Sequence, residues 1–165
     1  MTRTITARPL TREAFAEFGD VLDTDWDNHF PINGGRCERY HDLAKVEAEG
    51  PNAHVVISLF KGTPYDFPLT LGMVERHPFG SQAFMPLSPA PFLVVVCHDG
   101  PDGPGEPHAF VTKPGQGVSY PRNCWHAVLT PIGAPQDFLV VDRAGDGTNV
   151  EEHHFDEAYE IHLPE

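Results

Sequence analysis

The chain has 165 residues, 40% of them hydrophobic and 21% charged, and a chain of this length can bury the core of one domain, so we expect residues 1–165 to form a single domain. The formal net charge of −13 argues against binding to nucleic acid or to an anionic membrane, because both need basic surfaces. Three cysteines without a CxxC spacing and an N-terminus without a signal-peptide core predict a cytoplasmic protein with free thiols.

One short helix is predicted near the N-terminus, and strands are predicted for most of the remaining chain. Thr11 is suited to cap the start of the helix, Gly19 is suited to follow its end, and Phe15 and Phe18 are spaced to share its buried face. The predicted strands cover residues 54–61, 70–77, 81–87, 92–97, 108–113, 117–120, 125–130 and 137–142, and residues 159–163 are the candidate for a further edge strand. Short strands separated by Pro and Gly turns are typical of a sandwich or barrel.

Two segments carry polar side chains in an arrangement that resembles the cupin signature. The segment from Pro114 to His126 contains a Pro-Gly turn, a short strand, a second proline turn and a final histidine, as in the second cupin motif. Glu75, His77 and Gln82 have the spacing of the first motif. The resemblance implies a cupin-like β-barrel (a double-stranded β-helix or jelly roll). One such histidine is more often a hydrogen-bonded core residue, but four polar residues at this spacing indicate a site.

The ligand set expected of a metal-binding cupin is altered in this chain. Such cupins present two histidines and a glutamate from the first motif and a third histidine from the second. Here the four positions hold Glu75, His77, Gln82 and His126, and the neutral amide of Gln82 is a poor ligand for the softer divalent metals. Glu75, His77 and His126 can still bind a metal, with Gln82 or water completing the shell. Two alternatives therefore stay open, namely no required cofactor and a divalent metal.

Further polar residues lie outside the two motifs. The segment 36–42 is polar on both faces of a strand, with Arg39 on one face and Tyr40 on the other, which fits an exposed edge strand as well as a functional segment. Arg122 lies in the turn before the second-motif histidine, within reach of the barrel mouth. Asp142-Arg143 ends an apolar strand, which is a common place for a functional pair as well as for a surface ion pair, and we expect the surface ion pair.

Together these segments resemble the ureidoglycolate lyase family, also called ureidoglycolate hydrolase. The matching pieces, in chain order, are Glu-Arg-Tyr-His-Asp-Leu at 38–43, Glu-Arg-His-Pro at 75–78, Gln-Ala-Phe-Met-Pro at 82–86, Gln-Gly-Val at 116–118, Trp-His at 125–126 and Asp-Arg at 142–143. The resemblance implies a homodimer that splits (S)-ureidoglycolate into glyoxylate and urea during allantoin breakdown, and it names nickel as the candidate metal. The loop 99–107 resembles the family least.

The resemblance and the chemistry of ureidoglycolate together assign roles to the candidate residues. His77 and His126 would be the catalytic base and acid, in either order, because histidine titrates near neutral pH. Glu75 would orient His77 or be the base itself. Four residues are candidates for binding the substrate, with one arginine on its carboxylate and an amide and a phenol on its urea end: Arg39 or Arg122, Gln82 and Tyr40.

Two other functions remain compatible with the sequence. The first is another cupin enzyme, such as a metal-dependent oxygenase or isomerase. The second is a non-catalytic sensor that binds a small carboxylate, since barrels of this shape also act as ligand-binding modules.

Overall fold

The computed structural model describes residues 2–165, and its elements are almost all strands. The only α-helix within residues 2–165 is α1, Arg12–Phe15. Thr11 caps it as predicted, because its hydroxyl accepts a hydrogen bond of 3.1 Å from the amide of Ala14. The prediction that Gly19 follows the helix end is wrong, since the C-cap is Ala16. Gly19 instead lies against β-structure, where a Cβ would be 2.4 Å from the carbonyl oxygen of Ser119.

The strands described within residues 2–165 are β1 Arg3–Thr6, β2 Arg8–Pro9, β3 Asp20–Leu22, β4 His29–Ile32, β5 Cys37–Tyr40, β6 His54–Gly62, β7 Leu69–Arg76, β8 Gln82–Pro86, β9 Phe92–Cys97, β10 Asp99–Gly100, β11 Gly103–Pro104, β12 His108–Val111, β13 Gly117–Tyr120, β14 Trp125–His126, β15 Thr130–Pro131, β16 Gln136–Ala144 and β17 Glu151–His162. A 3-10 helix at Asn33–Gly35 joins β4 to β5. Within the described part of the chain, no helix is long and apolar enough to cross a membrane.

Two sheets form the barrel, as the sequence predicted. The larger has the strand order β1-β17-β7-β14-β9-β12-β2, with β15 beside β9, and the smaller has the order β3-β13-β8-β16-β6. The strands β4 and β5 form a separate hairpin, as do β10 and β11 in the Gly/Pro-rich loop. This arrangement is the cupin-like β-barrel expected from the motifs.

The strand β9 is buried along its whole length because both of its faces are covered. Phe92, Val94 and Val96 face the core between the two sheets. The alternate residues of the strand pack into a second core outside the larger sheet, which includes Trp125 and Ile161. Burial on both faces explains why the sequence of this strand is apolar without alternation.

The C-terminal strand is longer and more central than the sequence indicated. Residues 159–163 were expected at a sheet edge, but β17 begins at Glu151 and lies between β7 and β1. Only Tyr159 and Ile161 are fully buried in β17, and both lie in its second half. The first half is acidic and lacks the apolar alternation that predicts a strand. Residues 125–130 likewise form two short strands, β14 and β15, rather than one.

Candidate active site

The register of the larger sheet brings Glu75 and His126 together. His126 in β14 lies opposite Glu75 in β7 and opposite Val96 in β9. Residues that are directly opposite in an antiparallel pair project from the same face. Because Val96 faces the core between the sheets, Glu75 and His126 also project into the barrel. They form a polar pair inside an apolar interior.

The smaller sheet supplies the facing side of this polar cluster. Gln82 in β8 lies opposite Tyr120 in β13, and the Tyr120 ring stacks on the His126 imidazole with a centroid distance of 4.2 Å and an interplanar angle of 4°. The amide nitrogen of Gln82 donates a hydrogen bond of 3.1 Å to the carboxylate of Asp142. That bond fixes the orientation of the Gln82 amide and leaves its carbonyl oxygen available to a ligand.

Backbone carbonyls fix the tautomers of both histidines. His77, directly after β7, donates from Nδ1 to the carbonyl oxygen of Asn149 at 2.8 Å, and His126 donates from Nδ1 to that of Ala127 at 2.9 Å. Each neutral ring therefore carries a lone pair on Nε2. Both Nε2 atoms are buried, and neither has a hydrogen-bond partner among residues 2–165. A buried acceptor without a partner indicates a position for a ligand atom.

The three residues Glu75, His77 and His126 fit a divalent metal ion. One ligand atom from each of them lies within 4.8 Å of the others. Two imidazole nitrogens and a carboxylate are donors that zinc, nickel and iron prefer. The carbonyl groups that hold Nδ1 of each ring are the usual outer partners of metal-binding histidines.

Burial above all, together with the neighbouring His77, lowers the pKa of His126 from its ordinary 6.5 to about 3, although the hydrogen bond to Ala127 acts in the opposite direction. His126 is therefore neutral at physiological pH, and its Nε2 is suited to bind a metal or to accept a hydrogen bond rather than to take up a proton. Burial also raises the pKa of Tyr120 far above its ordinary value. Tyr120 thus stays an uncharged phenol against the His126 ring.

A cavity of about 440 Å³ opens beside this cluster. Its size suits a small-molecule ligand. Its wall combines polar side chains from the cluster with apolar side chains from the smaller sheet and from the segment between β14 and β15. It is lined by Phe60, Lys61, Gly62, Thr63, Tyr65, Glu75, Gln82, Phe84, His126, Val128 and Leu129.

Of the predicted substrate-binding residues, the structure brings Gln82 to this cavity. Within residues 2–165, the lining does not include Arg39, Tyr40 or Arg122. Arg122 donates to the carbonyl oxygen of Pro78 and pairs with Glu49, both at 2.8 Å. Arg39 and Tyr40 lie in the β4–β5 hairpin.

The predicted surface ion pair between Asp142 and Arg143 is wrong. Asp142 holds the amide of Gln82, whereas Arg143 is buried and donates to the carbonyl oxygens of Glu49, Pro51 and Asp146. The sequence held a signal for Asp142, because it alternates with the apolar residues Phe138 and Val140 and so shares their inward face. Asn149 accepts the hydrogen bond from His77 and Tyr65 lines the cavity. Neither had such a signal in the sequence, since both lie outside the regular strands.

Comparison with known proteins places the chain in a family. The ureidoglycolate lyase family matches residues 2–162. The chain is 74% identical over 164 residues to a ureidoglycolate lyase of Mesorhizobium japonicum, covering 99% of this chain and 100% of that protein. It is 64% identical to one from Chelativorans sp., with 99% of each chain covered. It is 57% identical to ureidoglycolate lyase 2 of Rhizobium meliloti, over 93% of this chain and 94% of that one. With its Glu-His-His cluster inside the barrel and a family match over residues 2–162, the chain belongs to the ureidoglycolate lyase family.

Proposed function

We propose that this protein is a ureidoglycolate lyase that releases glyoxylate and urea from (S)-ureidoglycolate in the cavity beside Glu75 and His126. The observation that carries the proposal is the convergence, within the described residues, of two buried, unpartnered imidazole nitrogens and one carboxylate to within 4.8 Å of one another, beside a cavity of small-molecule size that Glu75 and His126 line. Membership of the family supports the choice of substrate.

The reaction requires one proton to leave the substrate and one to arrive. The central carbon of ureidoglycolate carries a carboxylate, a hydroxyl group and a urea nitrogen. When the hydroxyl loses its proton, its oxygen forms a carbonyl double bond and the carbon–nitrogen bond breaks. The departing urea nitrogen takes up a proton. A proton acceptor and a proton donor must therefore flank this carbon.

The residues of the cluster are suited to both transfers. His126 is neutral and presents the Nε2 lone pair, which can accept a hydrogen bond from the substrate hydroxyl. Because the lowered pKa makes His126 a weak base, we assign the acceptance of the hydroxyl proton to Glu75. His77 presents the second Nε2, and Glu75 lies within 4.8 Å of both histidines, where it can orient them or move the proton between them. Gln82, held by Asp142, keeps a carbonyl oxygen for the N–H groups of the urea end.

The same three residues would hold a divalent metal ion, for which the family resemblance names nickel. When bound, the metal would supply Lewis acidity that polarises the substrate hydroxyl or carboxylate. Metal analysis of the purified protein, before and after chelation, tests this part of the proposal separately from the reaction.

We also propose that residues 1–165 act as one domain in a cytoplasmic homodimer, without a nucleic-acid or membrane partner. An exposed apolar strip on β6, formed by Val55, Ile57 and Leu59, supports the dimer. Light scattering on the purified protein measures the mass of the assembly directly.

The first test is product analysis with racemic ureidoglycolate, with and without prior chelation. We expect equal amounts of urea and glyoxylate from one enantiomer only. Ammonia in place of urea would identify an amidohydrolase instead. Tight binding of glyoxylate without turnover would favour the sensor, and activity only toward other substrates would favour another cupin enzyme.

A variant of the cluster gives the second test. His126→Ala should lower kcat by at least about 100-fold, because the substrate hydroxyl loses the Nε2 atom that positions it, while thermal melting remains cooperative. His54→Ala, which removes an exposed histidine of β6, is the matched control and should keep the wild-type rate. A His126→Ala protein with near-normal kcat would remove this residue from the mechanism.

A further inference from the structure

The substrate proposed above is a carboxylate, yet no lysine or arginine among residues 2–165 points into the cavity. Within that range, the only lysine or arginine in its lining is Lys61. Lys61 alternates with Phe60, which packs on the buried Phe84 ring, so its side chain points to the outer face of the sheet. There it is 83% exposed and pairs with Asp137 at 3.4 Å. The guanidinium of Arg122 is already occupied by Pro78 and Glu49.

The β4–β5 hairpin carries a cation that its own barrel does not use. The hairpin forms a two-stranded sheet of its own, and Arg39 lies in it as an exposed residue. In the part of the chain that the structure describes, the side-chain hydrogen bonds and ion pairs of the hairpin join His29 to Glu38 and do not include the Arg39 guanidinium. An unpaired guanidinium is suited to hold a carboxylate in two hydrogen bonds.

The β4–β5 hairpin and the active-site cavity lie at opposite edges of the smaller sheet of the same chain. Its last residues lie beside β3, since Asp20, Trp26 and Asp42 line one surface cavity and the Trp26 indole donates to the carbonyl oxygen of His41 at 2.8 Å. The active-site cavity instead opens at β6, where Phe60 and Gly62 line it. The strands β3 and β6 are the two edges of the smaller sheet, so about 19 Å of sheet separates them.

The edge at which the cavity opens also carries an uncovered apolar surface. Val55, Ile57 and Leu59 on the outer face of β6 are 50%, 72% and 67% exposed. Contiguous apolar side chains on an edge strand are typical of an interface between proteins. In a two-fold dimer the same pair of surfaces is used twice, so a hairpin placed on the partner's β6 implies the reverse contact as well.

We propose that a second copy of this chain covers the β6 strip and places its β4–β5 hairpin over the cavity mouth. Arg39 of one copy then binds the substrate carboxylate in the cavity of the other. The hairpin suits this contact because it exposes Phe30, at 39%, as well as Arg39. The chain has a net charge of −13, so two copies repel each other over most of their surfaces. The hairpin that carries Arg39 can approach a second copy with less electrostatic repulsion. This inference rests on the proposed function, because the bound anion is the proposed substrate.

Single variants give the first readout. Arg39→Ala should raise the KM for ureidoglycolate at least about 10-fold and lower kcat/KM about 100-fold, since a charged hydrogen-bond partner is lost. Arg36→Ala, an exposed arginine of the same hairpin region, is the matched control and should change neither constant more than about two-fold. Unchanged constants in Arg39→Ala would overturn the proposal.

A mixed dimer decides whether Arg39 acts across the interface. Copies with Arg39→Ala and copies with His126→Ala are co-expressed with different affinity tags, and the heterodimer is isolated by two successive purifications. If Arg39 acts on the partner's cavity, one of the two cavities is intact, and the heterodimer should regain about half of the wild-type rate. If Arg39 acts in its own cavity, both cavities are damaged and the heterodimer is no faster than the single variants, which overturns the proposal.

The controls separate this inference from the function itself. A wild-type protein without urea release would contradict the proposed function, whatever Arg39 does. A wild-type protein that is active but monomeric in light scattering would contradict only the role of the second copy. Arg39→Ala and Arg36→Ala should both melt cooperatively at the wild-type temperature, because both arginines are exposed. This result excludes misfolding as the cause of a change in KM.

Discussion

At the residue scale, the chemistry of the cluster is decided by neighbours that do not touch the substrate. The carbonyl groups of Asn149 and Ala127 fix the free nitrogen of each imidazole, and the Tyr120 ring holds the plane of His126. Burial then keeps His126 neutral. The reactive atoms were foreseeable from the motif, but their protonation follows from burial and from contacts that only the folded chain makes.

The buried histidine makes stability depend on pH. The pKa of His126 is lowered from 6.5 to about 3 by burial and by His77. Between these two pH values, the unfolded chain binds a proton on this imidazole and the folded chain does not. The contribution of His126 to stability is therefore present above about pH 6.5 and is lost as pH falls toward 3. In chelated protein, the free energy of unfolding should fall over this window more in the wild type than in His126→Gln.

Denaturant unfolding at several pH values measures this difference. His54→Gln, which removes an exposed histidine, should keep the wild-type pH dependence. Equal slopes for the wild type and His126→Gln would show that His126 titrates normally in the fold.

The three cysteines should differ in reactivity. Burial raises the pKa of both Cys97 and Cys124 to about 12, with Cys124 also raising that of Cys97, whereas Cys37 is exposed. Since the thiolate is the nucleophile, iodoacetamide at pH 8 should label Cys37 alone in the native protein and all three in denaturant. Peptide mapping by mass spectrometry gives the sites, and Cys37→Ser should abolish native labelling. Rapid native labelling of Cys97 would contradict its burial.

At the element scale, alternation located the strands whose two faces differ, and apolar runs located those buried on both faces. Phe92–Cys97 and Gly117–Tyr120 have the predicted bounds. The strand β17 was largely missed because its first residues are acidic or histidine, and its place between β7 and β1 is set by backbone pairing rather than by apolar side chains. The segment 36–42, which contains β5, was left undecided between an edge strand and a functional segment because both of its faces are polar.

A close approach of two strands gives a prediction for β13. A Cβ on Gly117 would lie 2.3 Å from the carbonyl oxygen of Phe84 in the paired strand β8. Gly117→Ala should therefore lower the free energy of unfolding by about 1–3 kcal/mol, as overpacking does. Gly72→Ala in β7, where a Cβ would have nothing within 4 Å, is the control and should shift it by no more than about 0.5 kcal/mol. Denaturant titration measures the free energy of unfolding of both variants. Equal values for Gly117→Ala and Gly72→Ala would show that β13 and β8 can move apart without loss of stability.

At the scale of the whole molecule, the exposed strip on β6 links assembly to activity. Ile57→Glu puts a charge on a residue that is 72% exposed in one chain and is covered in the proposed dimer. It should leave melting of the single chain almost unchanged, shift the mass in light scattering from dimer to monomer, and raise the KM as Arg39→Ala does. Val150→Glu, at an apolar residue that is 41% exposed and outside the strands, should stay dimeric. A dimeric and fully active Ile57→Glu protein would place the interface elsewhere.

The sequence by itself determined the class of fold, most strand positions, the family, and the Glu75, His77, Gln82 and His126 set, because alternation and turn residues are local and the motifs lie within short segments. Tertiary structure alone decided that Glu75 faces His126, that Asp142 holds Gln82, and that Arg39 and Arg122 lie away from the cavity of their own chain. These relations depend on strand register and on which sheet edge a hairpin leaves, and neither is written in the spacing of residues along one strand.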